Sequence, residues 1–338
     1  MLEHGGRLRE AARRWGRPLS GWIDLSTGID PLGYPVPPLD QEAWRRLPEE
    51  NDERLAFAAA RYYGNPCLLP VAGSQAAIRA LPALFPKGHV AVLAPTYAEH
   101  AAAWEDAGHA LRRFAADGFE AACDASDIVV LCNPNNPTAE CFARERLLRG
   151  AAGLARRGGW LVVDEAFADS LPALSLAADA GAGAANVVVL RSLGKFFGLA
   201  GARVGFALGA SLLLTQLAER LGPWTVTGPS REVARRALAD PAWQAGARQR
   251  QEQASARLAA LLAPFIHAGP VARTPLFCWL PHPQAAALHE ALAQRGILVR
   301  LFEEPAGLRF GLPGAESEWA RLAAALDEVG SEQASTQA

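Results

Sequence analysis

The sequence predicts an α/β protein, with a large, mostly parallel sheet domain flanked by helices and a smaller α+β C-terminal domain. Three observations predict it. Short continuous apolar runs recur through the middle of the chain, Ala/Leu/Arg-rich stretches separate most of them, and from about residue 221 the pattern changes.

The elements follow in chain order. The segment "MLEHGGRLREAARRWG" carries charges throughout and has no apolar centre, so residues 1–40 read as an N-terminal arm and not as a signal peptide. The large domain is read over 41–220. Within it "GSQAAIRALPALF" (73–85) reads as a helix capped by Ser74. The runs "VAVLAP" (90–95), "DIVVLCNP" (127–134), "WLVVDEAF" (160–167), "NVVVLRS" (186–192) and "VGFAL" (204–208) are apolar without alternation. Strands of that composition are buried on both faces. Stretches such as "ERLLRGAAGLARRG" supply the crossover helices of βαβ units. Over 221–330 long helical stretches precede the strand-like "PLFCWLP", "ILVRLF" and "LRFGLP", which define the smaller domain. The tail "SEQASTQA" (331–338) is polar and is expected to fray. No internal repeat is evident.

Composition narrows the function. Half of the 338 residues are apolar, a fifth are charged, and the net charge is −2. Acids and bases are nearly balanced, which argues against a nucleic-acid or membrane-surface partner and for a small molecule. Cys67, Cys123, Cys132, Cys141 and Cys278 are odd in number and have no CxxC spacing, which argues against a disulfide framework or a zinc site; no metal is expected. A reducing cytoplasm is the expected location. No apolar run reaches the roughly 18 residues of a membrane span.

Ligands of open α/β sheets bind outside the carboxyl ends of the strands. Reactive side chains cluster there: Tyr97 follows the first run, Asn133 and Asn136 the second, Asp164 and Glu165 close the third, and Ser192 and Lys195 follow the fourth. Lys195 is the feature that needs explaining, a lone ammonium set among Phe196, Phe197, Leu199 and Val204. A snorkelling surface lysine and a partly dry nucleophilic amine are the two readings. "LRSLGKF" is not a phosphate-binding P-loop, because Val189 stands five positions before Gly194 and Phe196 follows the lysine.

"NPNNPT", "VVDEAF" and "SLGKFFGLAGARVGF", in that order, resemble the fold-type-I pyridoxal-phosphate enzymes, in the histidinol-phosphate aminotransferase branch. Within that branch "HGG", "REAARRWG", "WIDLSTGIDPLGYP" and "AGSQAAIRALP" resemble the threonine-phosphate decarboxylases of cobalamin synthesis. The resemblance implies a cytoplasmic homodimer with its active site near the subunit interface, and pyridoxal 5′-phosphate as cofactor. It implies that Lys195 bonds the cofactor, Asp164 faces the pyridine nitrogen, Tyr97 stacks on the ring and Asn136 meets its 3-oxygen. Gly73, Ser74, Gln75, Ser192 and Arg203 would take the cofactor phosphate. Arg309 would hold the substrate carboxylate and Arg300 a substrate phosphate, with His4, Gly5 and Gly6 closing over the substrate and the Gly28 backbone approaching its carboxylate. The implied reaction is decarboxylation of L-threonine O-3-phosphate to (R)-1-amino-2-propanol O-2-phosphate; the alternative is a histidinol-phosphate or aromatic aminotransferase.

Three positions depart from the aminotransferase pattern. Phe167 stands where many relatives carry a tyrosine that donates to the ring 3-oxygen, and Leu47 where a tyrosine often reaches the partner subunit's cofactor. Ala139 replaces a glycine or small turn residue, a change expected to have little consequence.

Overall fold

The computed structural model describes residues 4–49, 53–266 and 271–337. Its strands are β1 (Ile23–Asp24), β2 (Leu68–Val71), β3 (His89–Leu93), β4 (Ala110–Phe114), β5 (Ile128–Cys132), β6 (Trp160–Asp164), β7 (Val187–Ser192), β8 (Gly205–Leu208), β9 (Ala272–Thr274), β10 (Phe277–Pro281), β11 (Ile297–Leu298), β12 (Arg300–Phe302) and β13 (Gly307–Gly311). Two compact units divide the chain: Gly33–Asn136 with Glu140–Ala245, and Met1–Leu32 with Pro137–Ala139 and Gly246–Ala338.

The larger unit holds a seven-stranded sheet in the order β2-β8-β7-β6-β5-β3-β4. Pairing from β7 through β4 is parallel, while β8 runs antiparallel to both β7 and β2. All five apolar runs are strands. Val90, Val92, Ile128, Val130, Val188 and Leu190 pack on one face against Ile78, Leu81, Trp104 and Leu217 of the covering helices. The alternate residues Ala91, Leu93, Val129, Leu131, Val163 and Val189 are equally buried on the other face. Each such Val or Leu contributes about 1.5–3 kcal/mol by leaving water, so the sheet withstands neither face being opened.

Two strands of this sheet escaped the sequence reading. β4, "ALRRF", is an edge strand with mostly exposed side chains, so it shows no apolar run. β2, "LLPV", is the opposite edge, where Pro70 is tolerated because one side needs no ladder donor.

In the smaller unit β12-β13-β10-β9 form an antiparallel sheet, and β1 pairs in parallel with β11. That pairing is why residues 1–32 join the C-terminal part where the sequence suggested a separate arm. Leu280, Leu308 and Phe310 pack with Leu288, Leu292, Trp319, Leu322 and Leu326 of its helices. The helix Gly228–Leu238 lies in the larger unit, against the helix Arg54–Tyr63, although the sequence pattern changes before it. The polar tail does not fray at 331: the helix Glu316–Gln337 runs through it. No helix among the described residues is long and apolar enough to cross a membrane.

Candidate active site

The larger unit brings its candidates to the carboxyl ends of β3, β5, β6 and β7. Tyr97 precedes the helix Ala98–Asp106, Asp164 ends β6, and Ser192 ends β7. Lys195 sits in the connection between β7 and β8, whose ends Ser192 and Gly205 pair directly. Leu193 N also donates to Val204 O at 3.0 Å, which narrows the mouth of this loop. Phe196 and Phe197 anchor it: Phe197 stacks on Trp243 at 5.5 Å, and the two phenylalanines meet edge-on at 4.9 Å. Aromatic pairs of this kind contribute about 0.5–1.5 kcal/mol each beyond burial, so the loop is held immediately after the lysine. Lys195 itself is half-buried, with Nζ 5.4 Å from the centre of the Phe167 ring.

Asp164 is buried. Its Oδ1 accepts from Ala166 N at 3.0 Å, and its Oδ2 lies 3.0 Å from His100 Nε2. Burial disfavours an imidazolium at His100, but hydrogen bonds from Asp164 and Cys132 prevail and push its pKa up to about 10. Asp164 is therefore backed by a cation. The ligand-type atoms of His100, Cys132 and Asp164 lie within 4.8 Å of one another, an arrangement this imidazolium–carboxylate pair accounts for. His100 was missed in the sequence. The legible signal was its place on the inward face of the helix, with Ala103 and Trp104.

Tyr97 packs edge-on against His100 at 6.1 Å and donates to Gln75 Oε1 at 3.0 Å, while Gln75 Nε2 donates to Glu99 at 3.0 Å. Burial first, then the Glu99 and Asp164 carboxylates, raise the Tyr97 phenol; Arg203 opposes them. Tyr97 thus lies within electrostatic reach of both Asp164 and Arg203, and it stays protonated.

Ser74 does not cap its helix. Gly73 occupies the cap with φ 74°, and Ser74 is the first helical residue. The reason is a close approach: a Cβ on Gly73 would lie 2.7 Å from Arg203 Nη2, and one on Gly205 would lie 2.6 Å from Ser74 N. Arg203 holds a left-handed φ of 53°, and its Nη1 donates to Ala200 O at 3.2 Å. Ser192 Oγ accepts from Gly194 N at 3.3 Å.

In "NPNNPT" the asparagines divide. Asn133 braces Phe142 through two backbone hydrogen bonds, and Asn135 ties to Thr96 and Pro95. Asn136 is half-buried beside them. Ala139 has φ 60°, so the substitution that looked inconsequential places a Cβ in the left-handed region, a cost on the order of 1 kcal/mol.

The smaller unit assembles its own candidates around Ser26, which the sequence reading passed over. Arg309 Nη2 donates to Ser26 O at 2.6 Å; Ser26 Oγ accepts from Gly6 N at 2.8 Å and donates to Asp24 at 2.6 Å. A Cβ on Gly5 would meet Ser26 O, so the segment that carries the exposed His4 can lie flat only with glycine there. Gly28 closes the same turn with φ 62°, next to Gly311. Arg300 on β12 and Arg309 on β13 are directly opposed in register. Directly opposed residues share a face, and like charges so placed repel unless an anion lies against them.

A parallel sheet with a half-buried lysine, a buried carboxylate and an arginine-lined glycine cradle at its carboxyl edge defines a class, and the chain belongs to it: it matches the family described as aminotransferase class I and II over residues 40–334. Within the family it is 55% identical over 327 residues to the threonine-phosphate decarboxylase of Pseudomonas aeruginosa, covering 96% of this chain and 97% of that one. It is 34% identical over 298 residues to a histidinol-phosphate aminotransferase of Mycobacterium bovis, covering 84% and 79%. The solved structure of histidinol-phosphate aminotransferase from Sinorhizobium meliloti, in complex with pyridoxal-5′-phosphate, shares the fold with a TM-score of 0.83 at 20% identity, covering 98% of this chain and 99% of that one.

Pyridoxal 5′-phosphate fits the residues of the larger unit. A phosphate needs donors and positive charge, and the Arg203 guanidinium lies close against Gly73, whose φ of 74° favours glycine. A pyridine nitrogen needs a fixed carboxylate, which Asp164 supplies. The aldehyde needs an amine, and Lys195 offers one over Phe167. Phe167→Tyr is expected to lower the pH midpoint of the cofactor–lysine chromophore, because the added hydroxyl supplies a donor to the ionised 3-oxygen. An absorbance titration checks this; an unchanged or raised midpoint contradicts the placement.

Proposed function

We propose that this chain decarboxylates L-threonine O-3-phosphate to (R)-1-amino-2-propanol O-2-phosphate, a step of cobalamin synthesis. The observation that carries the reading is the opposed pair Arg300 and Arg309, two cations on one strand face for a substrate that is anionic at both ends. The 55% identity to a decarboxylase, against 34% to an aminotransferase, favours carbon dioxide release over amino transfer.

Bound pyridoxal 5′-phosphate supplies the electron sink. Asp164, paired with His100, would face the ring nitrogen, Tyr97 would stack on the ring, and Asn136 would meet the 3-oxygen. Gly73, Ser74, Gln75, Ser192 and Arg203 would hold the cofactor phosphate. Arg309 orients the substrate carboxylate, and with it the bond that breaks; Arg300 takes the substrate phosphate. Lys195, as its ammonium, or a nearby water would then return a proton to Cα. His4, with Gly5 and Gly6, would close over the substrate, and the Gly28 backbone would approach its carboxylate.

The enzyme acts as a cytoplasmic homodimer. Val36, Trp44, Leu47 and Phe57 expose large apolar surfaces in one short stretch of the larger unit, a composition that fits burial against a second copy. Leu47 then offers an apolar contact in place of a tyrosine hydroxyl.

Carbon dioxide release and amino transfer, assayed on one panel of phosphorylated substrates, test the reading. Threonine phosphate should yield stoichiometric carbon dioxide and no 2-oxo acid, with little activity on unphosphorylated threonine. Arg300→Ala should weaken phosphorylated substrate by about 1.5–3 kcal/mol, raising KM about tenfold or more. Arg309→Ala should also lower kcat, because the carboxylate loses its orientation. Sustained transfer from histidinol phosphate to 2-oxoglutarate without gas release would overturn the decarboxylase and leave an aminotransferase.

A further inference from the structure

Behind the candidate active site lies a buried ionic cluster that none of the proposed catalytic roles uses. Arg191 is 3% exposed and bridges two carboxylates that are fully buried: Nη1 donates to Glu165 at 2.6 Å and Nη2 to Asp169 at 2.5 Å. Ser175 Oγ donates to Glu165 at 2.5 Å, and Leu176 N donates to it at 2.6 Å. Tyr62 donates to Asp169 at 2.9 Å, and the Arg191 guanidinium lies 4.8 Å over the Tyr63 ring.

Stability is a weak explanation for such a cluster. Desolvating three charges roughly cancels their attraction, and apolar residues of similar volume often serve a core as well or better. What the cluster does supply is a fixed geometry between two segments. Glu165 and Asp169 bracket Phe167 on the segment that follows β6, immediately after Asp164; Arg191 precedes Ser192 at the end of β7, which leads to Lys195. The guanidinium fork is planar, and it can engage both carboxylates only when the two segments keep one spacing. That spacing sets the Phe167 ring beside Lys195 Nζ.

We infer that Arg191, with Glu165 and Asp169, is a positioning residue that sets the environment of the Lys195 amine by clamping the Phe167 segment to the end of β7. The inference rests on the reading that Lys195 carries the cofactor. Its geometry is what matters, so a variant that keeps the hydrogen bonds and removes a charge should behave like the parent. Lysine at 191 keeps the charge and loses the fork. Asparagine at 169 keeps an acceptor for Arg191 and Tyr62, and alanine keeps none.

The test is a pH titration of the cofactor–lysine chromophore in the holoenzyme, with thermal melting alongside, on Arg191→Lys, Asp169→Ala and Asp169→Asn. Arg191→Lys and Asp169→Ala should move the midpoint by at least about 0.5 pH units, and Asp169→Asn by clearly less. Lower melting temperatures with an unmoved midpoint would reduce the cluster to a structural brace and overturn the inference, as would equal shifts in Asp169→Asn and Asp169→Ala. Should Arg191→Lys fail to fold, the pair at 169 decides alone. Failure of the parent enzyme to hold cofactor on Lys195 is a separate result, and it would remove the functional reading itself.

Discussion

Lys195→Ala is expected to abolish turnover while leaving the fold intact, and borohydride treatment of the parent holoenzyme is expected to fix the cofactor on Lys195. The substitution removes an amine that is half-buried over Phe167 and leaves the aromatic anchors of the loop in place. The proposed phosphate contacts at Gly73 and Arg203 are untouched, so the variant should still retain cofactor, only without a covalent link. Peptide mapping is decisive here because Lys87 is the only other lysine in the chain. Lys87 lies just before β3, at the opposite end of that strand from Tyr97. Reduced cofactor on Lys87 would sink the proposed chemistry.

Asp164→Asn should cost roughly two to three decades in turnover while binding of the cofactor remains largely intact. The two side chains have nearly the same shape, so the loss isolates charge. The charge matters because Asp164 is buried and fixed on both oxygens, by Ala166 N and by His100, and needs no reorganisation to oppose a cation. With asparagine there, His100 also loses the partner that holds its pKa near 10, and the imidazolium behind the site becomes unfavourable. Steady-state kinetics with the absorbance spectrum of the bound cofactor checks both parts. Near-normal turnover would show that another group partners the ring nitrogen.

The residues that could be recognised in the chain are those whose chemistry is local. "SLGKFFGLAGARVGF" carries the lysine, the aromatic anchors and Arg203 in one stretch, and "VVDEAF" ends a strand on its carboxylate. Strand ends of a parallel sheet converge on one edge, so their order in the chain was enough to group them. His100 was not recognisable in this way. It reaches Asp164 from the helix after β3, and β5 separates β3 from β6 in the sheet. Ser26 escaped for the same reason: it meets Gly6 and Arg309, which lie at opposite ends of the chain. The Ser74 cap and the harmless Ala139 failed differently. The first was a propensity argument and the second a comparison with the family pattern, and the left-handed backbone at Gly73 and at Ala139 overrode them.

By itself, then, the sequence determined the α/β class, the buried strands and the identity of the groups able to do chemistry, because apolar runs and reactive side chains are properties of short segments. Tertiary structure alone decided how those groups are tuned. The pairing of β12 with β13 sets Arg300 opposite Arg309, the buried Asp164 helps raise the pKa of His100 behind it, and the Arg191 fork spaces Phe167 from Lys195. Charge tuning depends on desolvation and on partners distant in sequence, and only the folded chain brings those together.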